Sequence, residues 1–308
     1  MQSNGNPAQP QYDGGNSLTS LVQSAAATNG SVTYTFTAGS PGTYLYESGT
    51  DVNKQVQMGM YGALVVRPSG STCPATATSC QVNDRADSAY SPTHEYVFML
   101  SEVDPDLHLA VERSQPIDWK AFRARYFMIN GRSMPDTLAP NNASWLPNQP
   151  YGALVHIRPF DSDPTHGAAY NPLPAVIRYL NAGSVNYPFH PHGSDERVVN
   201  KDGRALQGPA GTSGSGADLA YLKYDIDVKP GQTVDALMDW KDVEGWNALT
   251  NPVPTQIPAI TDQLLVGTDT WFSESPYLGT LNPLPTYITS NNECGEYYHI
   301  AHSHSLVQ

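Results

Sequence analysis

Strand-sized runs punctuated by glycine and proline constrain this chain more than any other feature. Ser31-Val32-Thr33-Tyr34-Thr35-Phe36-Thr37 alternates as a strand does, with successive side chains on opposite faces. A Gly39-Ser40-Pro41-Gly42 turn follows, then Thr43-Tyr44-Leu45-Tyr46 and, after a polar loop, Tyr61-Gly62-Ala63-Leu64-Val65-Val66-Arg67-Pro68. Three such runs at short intervals predict an all-β fold. Further strands are expected at residues 95–100, 153–158, 175–181, 197–200, 222–228, 233–240 and 296–299. Helical periodicity is scarce, and only residues 106–113 read as a short turn of helix. The 25 glycines, 26 prolines and 18 tyrosines among 308 residues fit many short strands joined by turns.

A weak internal repeat organises the chain. The strand-turn-strand of residues 34–46 contains a Gly-x-Tyr strand, and Gly295-Glu296-Tyr297-Tyr298 repeats that element late in the sequence. The first copy leads through Gln57-Met58-Gly59-Met60-Tyr61-Gly62 into a closing strand at 63–66. The second copy reaches Gln308 where its closing strand is expected. The division expected is therefore the C-terminal part of a first domain at 1–68, a linker at 69–93, and a second domain at 94–308 lacking its last strand. The linker is small and polar and holds Cys73 and Cys80. A loop disulfide is the preferred reading there, and two free thiols the alternative. Gly208 to Gly216 reads as a flexible loop.

The net charge of -13 argues against nucleic acid and anionic membrane surfaces as partners. No apolar run approaches the roughly 18 residues of a membrane-spanning helix, so no membrane insertion is expected. Met1 to Gly15 lacks the basic start and apolar centre of a signal peptide. Either a leader has been removed or the sequence is internal to a longer one. The cysteine pair suits an extracytoplasmic setting, periplasmic or secreted.

The chemistry concentrates in two His-x-His pairs, His190/His192 and His302/His304, with His299 three residues before the second pair. Five of the nine histidines fall in these two short segments. On a strand, a His-x-His pair aims two imidazoles the same way while the residue between points the other way. Neutral imidazole is a good ligand for copper, zinc, iron and nickel. His190, His192, His302, His304 and His299 are therefore the candidate metal ligands. His94, His108, His156 and His166 share no motif and read as structural. Asp195 and Glu196 read as part of a solvated loop, Met58 and Met60 as packing residues, and Trp240 and Trp246 as core.

These segments resemble the multicopper oxidases, built from cupredoxin domains, and look closest to the large bacterial type. Pro41-Gly42-Thr43-Tyr44-Leu45-Tyr46 with Tyr61-Gly62-Ala63-Leu64-Val65-Val66 is similar to the end of a family domain. Tyr187-Pro188-Phe189-His190-Pro191-His192-Gly193 is similar to the family's His-Pro-x-His-x-His-Gly. Gly295 through His304 is similar to its Gly-x-Tyr-x-x-His-x-His region. The resemblance implies tandem cupredoxin-like Greek-key sandwich domains, the first incomplete. It also implies copper at a cluster that reduces dioxygen, electrons from a small-molecule or metal-ion reductant, and further cupredoxin domains or subunits as partners.

The departures bear on the chemistry. The family's first histidine is Tyr187 here, and its late His-Cys-His is His302-Ser303-His304. Cys294 does not match the thiolate position, and Tyr46-Glu47-Ser48-Gly49 holds no histidine. The resemblance thus implies part of a copper oxidoreductase that oxidises a phenol or metal ion and reduces dioxygen to water in the complete protein. The alternative is a non-catalytic cupredoxin-like scaffold that binds a metal or serves assembly.

Overall fold

The computed structural model describes residues 10–155, 157, 165, 173–192, 195–208, 216–239 and 300–308. Strands dominate them, and the all-β class holds. Near the start, β1 (Gln11–Tyr12) and β2 (Leu18–Ser20) form a small hairpin. A longer one joins β3 (Gly42–Glu47) to β4 (Tyr61–Val66) through α1 (Val52–Gln57), and β5 (Cys80–Gln81) pairs with β6 (Ala89–Tyr90). Then come β7 (Glu95–Val103), α2 (Pro105–Glu112), β8 (Tyr126–Ile129), β9 (Ala175–Asn181) and β10 (Tyr187–Pro191). The remaining strands are β11 (Glu196–Lys201), β12 (Arg204–Ala205), β13 (Tyr221–Lys223), β14 (Ile226–Val228), β15 (Thr233–Met238) and β16 (Ala301–Ser303).

Two sheets carry the architecture. The larger runs β12-β11-β15-β9-β7-β8, with β13 also paired to β11. Its ladders are antiparallel except β7 against β9. The smaller runs β14-β10-β16, antiparallel throughout. A shared core joins them: Phe98, Leu100, Ile177, Tyr179, Val198, Val234, Ala236 and Met238 from the large sheet meet Tyr187, Phe189, Ile226 and Val228 from the small one. The rings of Phe98, Tyr179 and Phe189 pack within 5.3 to 5.7 Å of one another at its centre.

The central strands of the large sheet, β9 and β15, are buried on both faces. Along β9, Ile177 and Tyr179 enter that core while Val176 and Arg178 face the other way, the period of two that a strand imposes. On that second face Val176, Val199 and Leu237 pack with Cys80, Val82 and Tyr90. The stretch expected as a linker, 69–93, therefore contributes buried side chains. Cys73 and Cys80 form the expected disulfide, with Cα atoms 5.5 Å apart.

Arg178 ties the β3–β4 hairpin to the same face. Its guanidinium reaches Glu95 Oε1 at 2.7 Å, Asp235 Oδ1 at 3.1 Å and Thr43 Oγ1 at 3.0 Å. Thr43 also donates its backbone N–H to Asp235, and its carbonyl accepts from Thr233 Oγ1 at 2.7 Å. Arg67, just past β4, reaches Glu95 Oε2 at 2.7 Å. Gly203 turns at φ 69° directly beneath Tyr44, where a Cβ would strike the ring.

Several expected elements differ. Residues 31–37 form no strand: they are largely exposed, and an alternating run becomes a strand only when a neighbour completes its ladder. Residues 153–155 and 157 are likewise not strand. The run expected at 222–228 divides into β13 and β14 around Tyr224 and Asp225. β7 continues to Val103, and the short helix forms as α2, where Asp104 accepts from Asp106 N at 2.9 Å and Pro105 starts the first turn. The strand expected at 296–299, Trp240, Trp246 and most of the Gly208–Gly216 loop lie outside the described residues.

Candidate metal centre

Both sides of β10 are defined by its alternation. Tyr187, Phe189 and Pro191 are buried, whereas His190 and His192 lie on the side away from the core. β16 runs antiparallel beside β10 with His190 directly opposite His302. The same register places His192 N on Ile300 O at 2.8 Å and His304 N on Pro188 O at 2.7 Å. Residues at even numbers in both strands therefore share one face, and His190, His192, His302 and His304 all fall on it.

Three of them converge. One ring nitrogen from each of His190, His192 and His302 lies within 4.8 Å of the other two. The Nε2 atoms of His192 and His302 are 3.0 Å apart. His304 borders the group, its ring centroid 5.3 Å from that of His190 and 5.7 Å from that of His302. His190 and His192 are half-buried, and His302 and His304 are exposed. Ring nitrogens also meet backbone carbonyls: His190 Nδ1 that of Tyr224, and His302 Nδ1 that of Ser303 at 2.8 Å. The Tyr224 ring also stands edge-on to His190, with centroids 5.7 Å apart.

The opposite face of the same strands is occupied differently. Tyr187 is buried in the core and donates its hydroxyl to Glu102 Oε2 at 3.0 Å. Glu102 is itself enclosed and accepts from Ser184 Oγ at 2.6 Å. Burial, then the Glu102 charge, push the Tyr187 phenol well above its ordinary range. Ser303, paired with Phe189, bonds through its hydroxyl to Gln308. Tyr187 and Ser303 thus both lie on the face away from the imidazoles.

Of the five expected ligands, the structure gathers His190, His192 and His302, sets His304 beside them, and leaves His299 outside the described residues. Cys294 and His166 also lie outside them, as does His156. Glu196 corrects an expectation. It is not in a solvated loop but begins β11, fully enclosed, with Tyr179 donating to its Oε1 at 2.8 Å. Ladder pairing with Lys223 and Arg197's pairing with Leu237 draw that segment into the sheet. Met60 is exposed rather than packed. Sequence reasoning passed over Glu102, although a carboxylate just after the apolar run of β7 was a signal. The Tyr224 carbonyl left no signal, because a backbone acceptor is the same for every residue.

Residues 2–71 match the multicopper oxidase family model. No curated protein matches the chain significantly. Among solved structures, the chain is similar to a blue copper oxidase from Nitrosomonas europaea: 20% identity, 68% of this chain, 49% of that one, TM-score 0.42. It is also similar to the multicopper oxidase mgLAC, at 20% identity over 66% of this chain and 47% of that one, TM-score 0.40. A copper nitrite reductase from Nitrosomonas europaea is similar at 21% identity over 69% of this chain and 57% of that one, TM-score 0.34. The chain spans about half the length of these structures. No helix among the described residues is long and apolar enough to cross a membrane.

Proposed function

We propose that this chain is part of a multicopper-oxidase-like copper oxidoreductase in which His190, His192 and His302 hold copper, with His304 beside them. The observation that carries the reading is the convergence of three imidazole nitrogens within 4.8 Å from two strands far apart in sequence. The family match at 2–71 supports it independently, since it lies outside both His-x-His segments.

The donor set fits imidazole-ligated copper. Among the described residues it does not fit a thiolate site, because Cys73 and Cys80 are bonded to each other and Ser303 faces the other side of β16. Bound at the imidazoles, copper would supply one-electron chemistry between a phenol or reduced metal ion and dioxygen. The chain's part is to aim the ring nitrogens from a rigid ladder and to fix their free edges on backbone carbonyls. Further cupredoxin domains or subunits would supply the missing ligands. The family match at 2–71 supports a first unit at 1–68; 69–93 and a second unit at 94–308 would follow it. The disulfide supports an extracytoplasmic location, periplasmic or secreted.

One observation favours the scaffold alternative. Tyr187, which stands where the resembling motif has its first histidine, offers no imidazole and is bonded into the core through Glu102. Copper content after reconstitution, read with absorption and paramagnetic resonance spectra, separates the two. Stoichiometric copper without an intense blue band, lost in the His192→Ala, His302→Ala double variant, supports the oxidoreductase reading. A chain that retains no copper under those conditions is a scaffold.

A further inference from the structure

We propose that the chain carries a second binding site, a polar cleft in which Arg204 and Asp84 take the two charged ends of a small zwitterion, an amino acid or a dipeptide. None of the imidazoles lines this cleft, and the inference does not depend on the metal-binding reading. The observation that carries it is a pair of opposite charges that line one cleft yet form no ion pair with each other or with any other described residue.

Three stretches of chain enclose the cleft, whose volume is about 710 Å³: the Gly39-Ser40-Pro41 turn ahead of β3, Asn83 and Asp84 just after β5, and the segment from β12 to Gly208. Asn200, wholly buried, ties the three together. Its Nδ2 donates to Pro41 O at 3.1 Å, its Oδ1 accepts from Asn83 Nδ2 at 2.6 Å, and its backbone pairs with Ala205 in the β11–β12 ladder. The Tyr44 hydroxyl reaches both Ser40 O at 2.7 Å and Gly203 O at 2.8 Å, a second link between the first wall and the third. The turn approaches this closely because Gly42, at φ 149°, has no side chain; a Cβ there would stand 2.7 Å from Asn200 Nδ2. Walls set in advance lose little freedom when a ligand enters.

Beneath the cleft the polar groups are committed, and around it they are not. Asn83 is 1% exposed and gives one amide hydrogen to Asn200; its amide nitrogen has a second. Ser40, Asp84, Arg204 and Gln207 stand exposed around it, and their side chains make no hydrogen bond or ion pair among the described residues. Nearby surface charges behave differently: Arg85 pairs with Asp87 at 2.7 Å, and Arg197 with Asp218 at 2.6 Å. The guanidinium fork of Arg204 matches a carboxylate, and the Asp84 carboxylate accepts from an ammonium group. A plain anion would also meet Asp84, and a plain cation Arg204. A zwitterion turned end for end between them satisfies both. The volume lies within the roughly 300–1,000 Å³ of small-molecule sites, which leaves room for a side chain or a second residue.

The test follows backbone amide chemical shifts of the full chain during titration with alanine and with dialanine. It is run at about pH 6.5, where α-amino and α-carboxyl groups are both charged. Saturable shifts at Ser40, Asp84, Arg204 and Gln207 are expected with at least one of the two, and the tighter binder gives the spacing between the charges. N-acetylated dialanine keeps only the anionic end and dialanine amide only the cationic end; each should bind at least about tenfold more weakly. Asp84→Asn and Arg204→Gln, neither of which breaks a hydrogen bond among the described residues, should each weaken the zwitterion by a similar factor. No saturable shift with either zwitterion overturns the proposal. So does a singly charged form that binds as tightly as dialanine, or binding that both variants leave unchanged.

Discussion

Tyr179 donates its phenolic hydrogen to Glu196 Oε1 over 2.8 Å with both side chains fully enclosed, while Glu196 Oε2 has no partner among the described residues. Burial pushes the Glu196 carboxyl up to about 8, and the hydrogen bond from Tyr179 pulls it back only in part. Its ordinary value is 4.5, so between pH 4.5 and about 8 the unfolded chain releases this proton and the folded chain keeps it. The unfolded state then binds fewer protons, and stability falls as pH rises through that window.

Glu196→Gln removes this dependence while keeping a group of the same shape. At about 1.4 kcal/mol per pH unit, the variant should gain up to roughly 5 kcal/mol over the wild type near pH 8 and almost nothing near pH 4. Urea unfolding at both pH values measures the gain. An equal pH slope in the two proteins would exclude Glu196 as its source.

Arg178 carries the attachment of the β3–β4 hairpin. Burial alone would lower the affinity of its guanidinium for the proton, but Asp235 and Glu95 outweigh that and raise it. Arg178→Met leaves Asp235 enclosed without its counter-charge and should cost about 3 to 5 kcal/mol. Replacing Asp235 by Leu in the same chain should recover much of the loss. Additive losses in that double-mutant cycle would mean that the two side chains act independently.

Tyr187 and the imidazoles lie on opposite faces of β10, so their roles should separate. Tyr187→Phe should cost about 1 to 2 kcal/mol by leaving Glu102 short of a donor. Zinc and copper affinity should stay within about twofold, because lost stability alone does not move a ligand. Calorimetric titration of the variant gives the answer; a tenfold weaker site would place Tyr187 in the metal's surroundings after all.

The two His-x-His pairs should contribute unevenly. Removing His190 or His302 should weaken zinc binding by more than about a hundredfold, and removing His304 by roughly tenfold or less, the range of a neighbour rather than a ligand. Competition with a chromophoric chelator ranks the variants. Equal losses at His302 and His304 would mean that the ion sits between them.

The Cys73–Cys80 bridge closes a short loop against the second core, where Cys80, Val82 and Tyr90 are buried. Cys73→Ser with Cys80→Ser should cost about 2 to 3 kcal/mol. Thermal unfolding with and without reductant should show the shift in the wild type only. A reductant effect that persists in the double variant would point to another thiol.

What could be read from the sequence follows from where burial is two-sided. Residues 175–181 were legible to the residue, because an apolar run buried on both faces shows as a continuous block. The four ligand candidates were legible because His-x-His spacing equals the strand period. The odd spacing between Tyr187 and His190 likewise carried the information that they face apart. The alternation at 31–37 misled, since a pattern names a face but not a neighbour to pair with. Burial of Glu196 was illegible for the complementary reason: a charged residue just after Gly-Ser-Asp in sequence looks solvated until β13 and β15 pair with β11.

His192 and His302 touch although 110 residues separate them along the chain. An ion gripped by both would act as a clasp on that whole excursion. Closing a loop of about 100 residues removes on the order of 4.7 kcal/mol of freedom from the unfolded ensemble, well beyond what the short cystine loop removes. Among the described residues β16 has a ladder on one side only. If these histidines hold copper, the fastening of residues 300–308 to the sandwich would be tied to copper supply, and a protease acting on them would in effect report how much metal the surroundings provide.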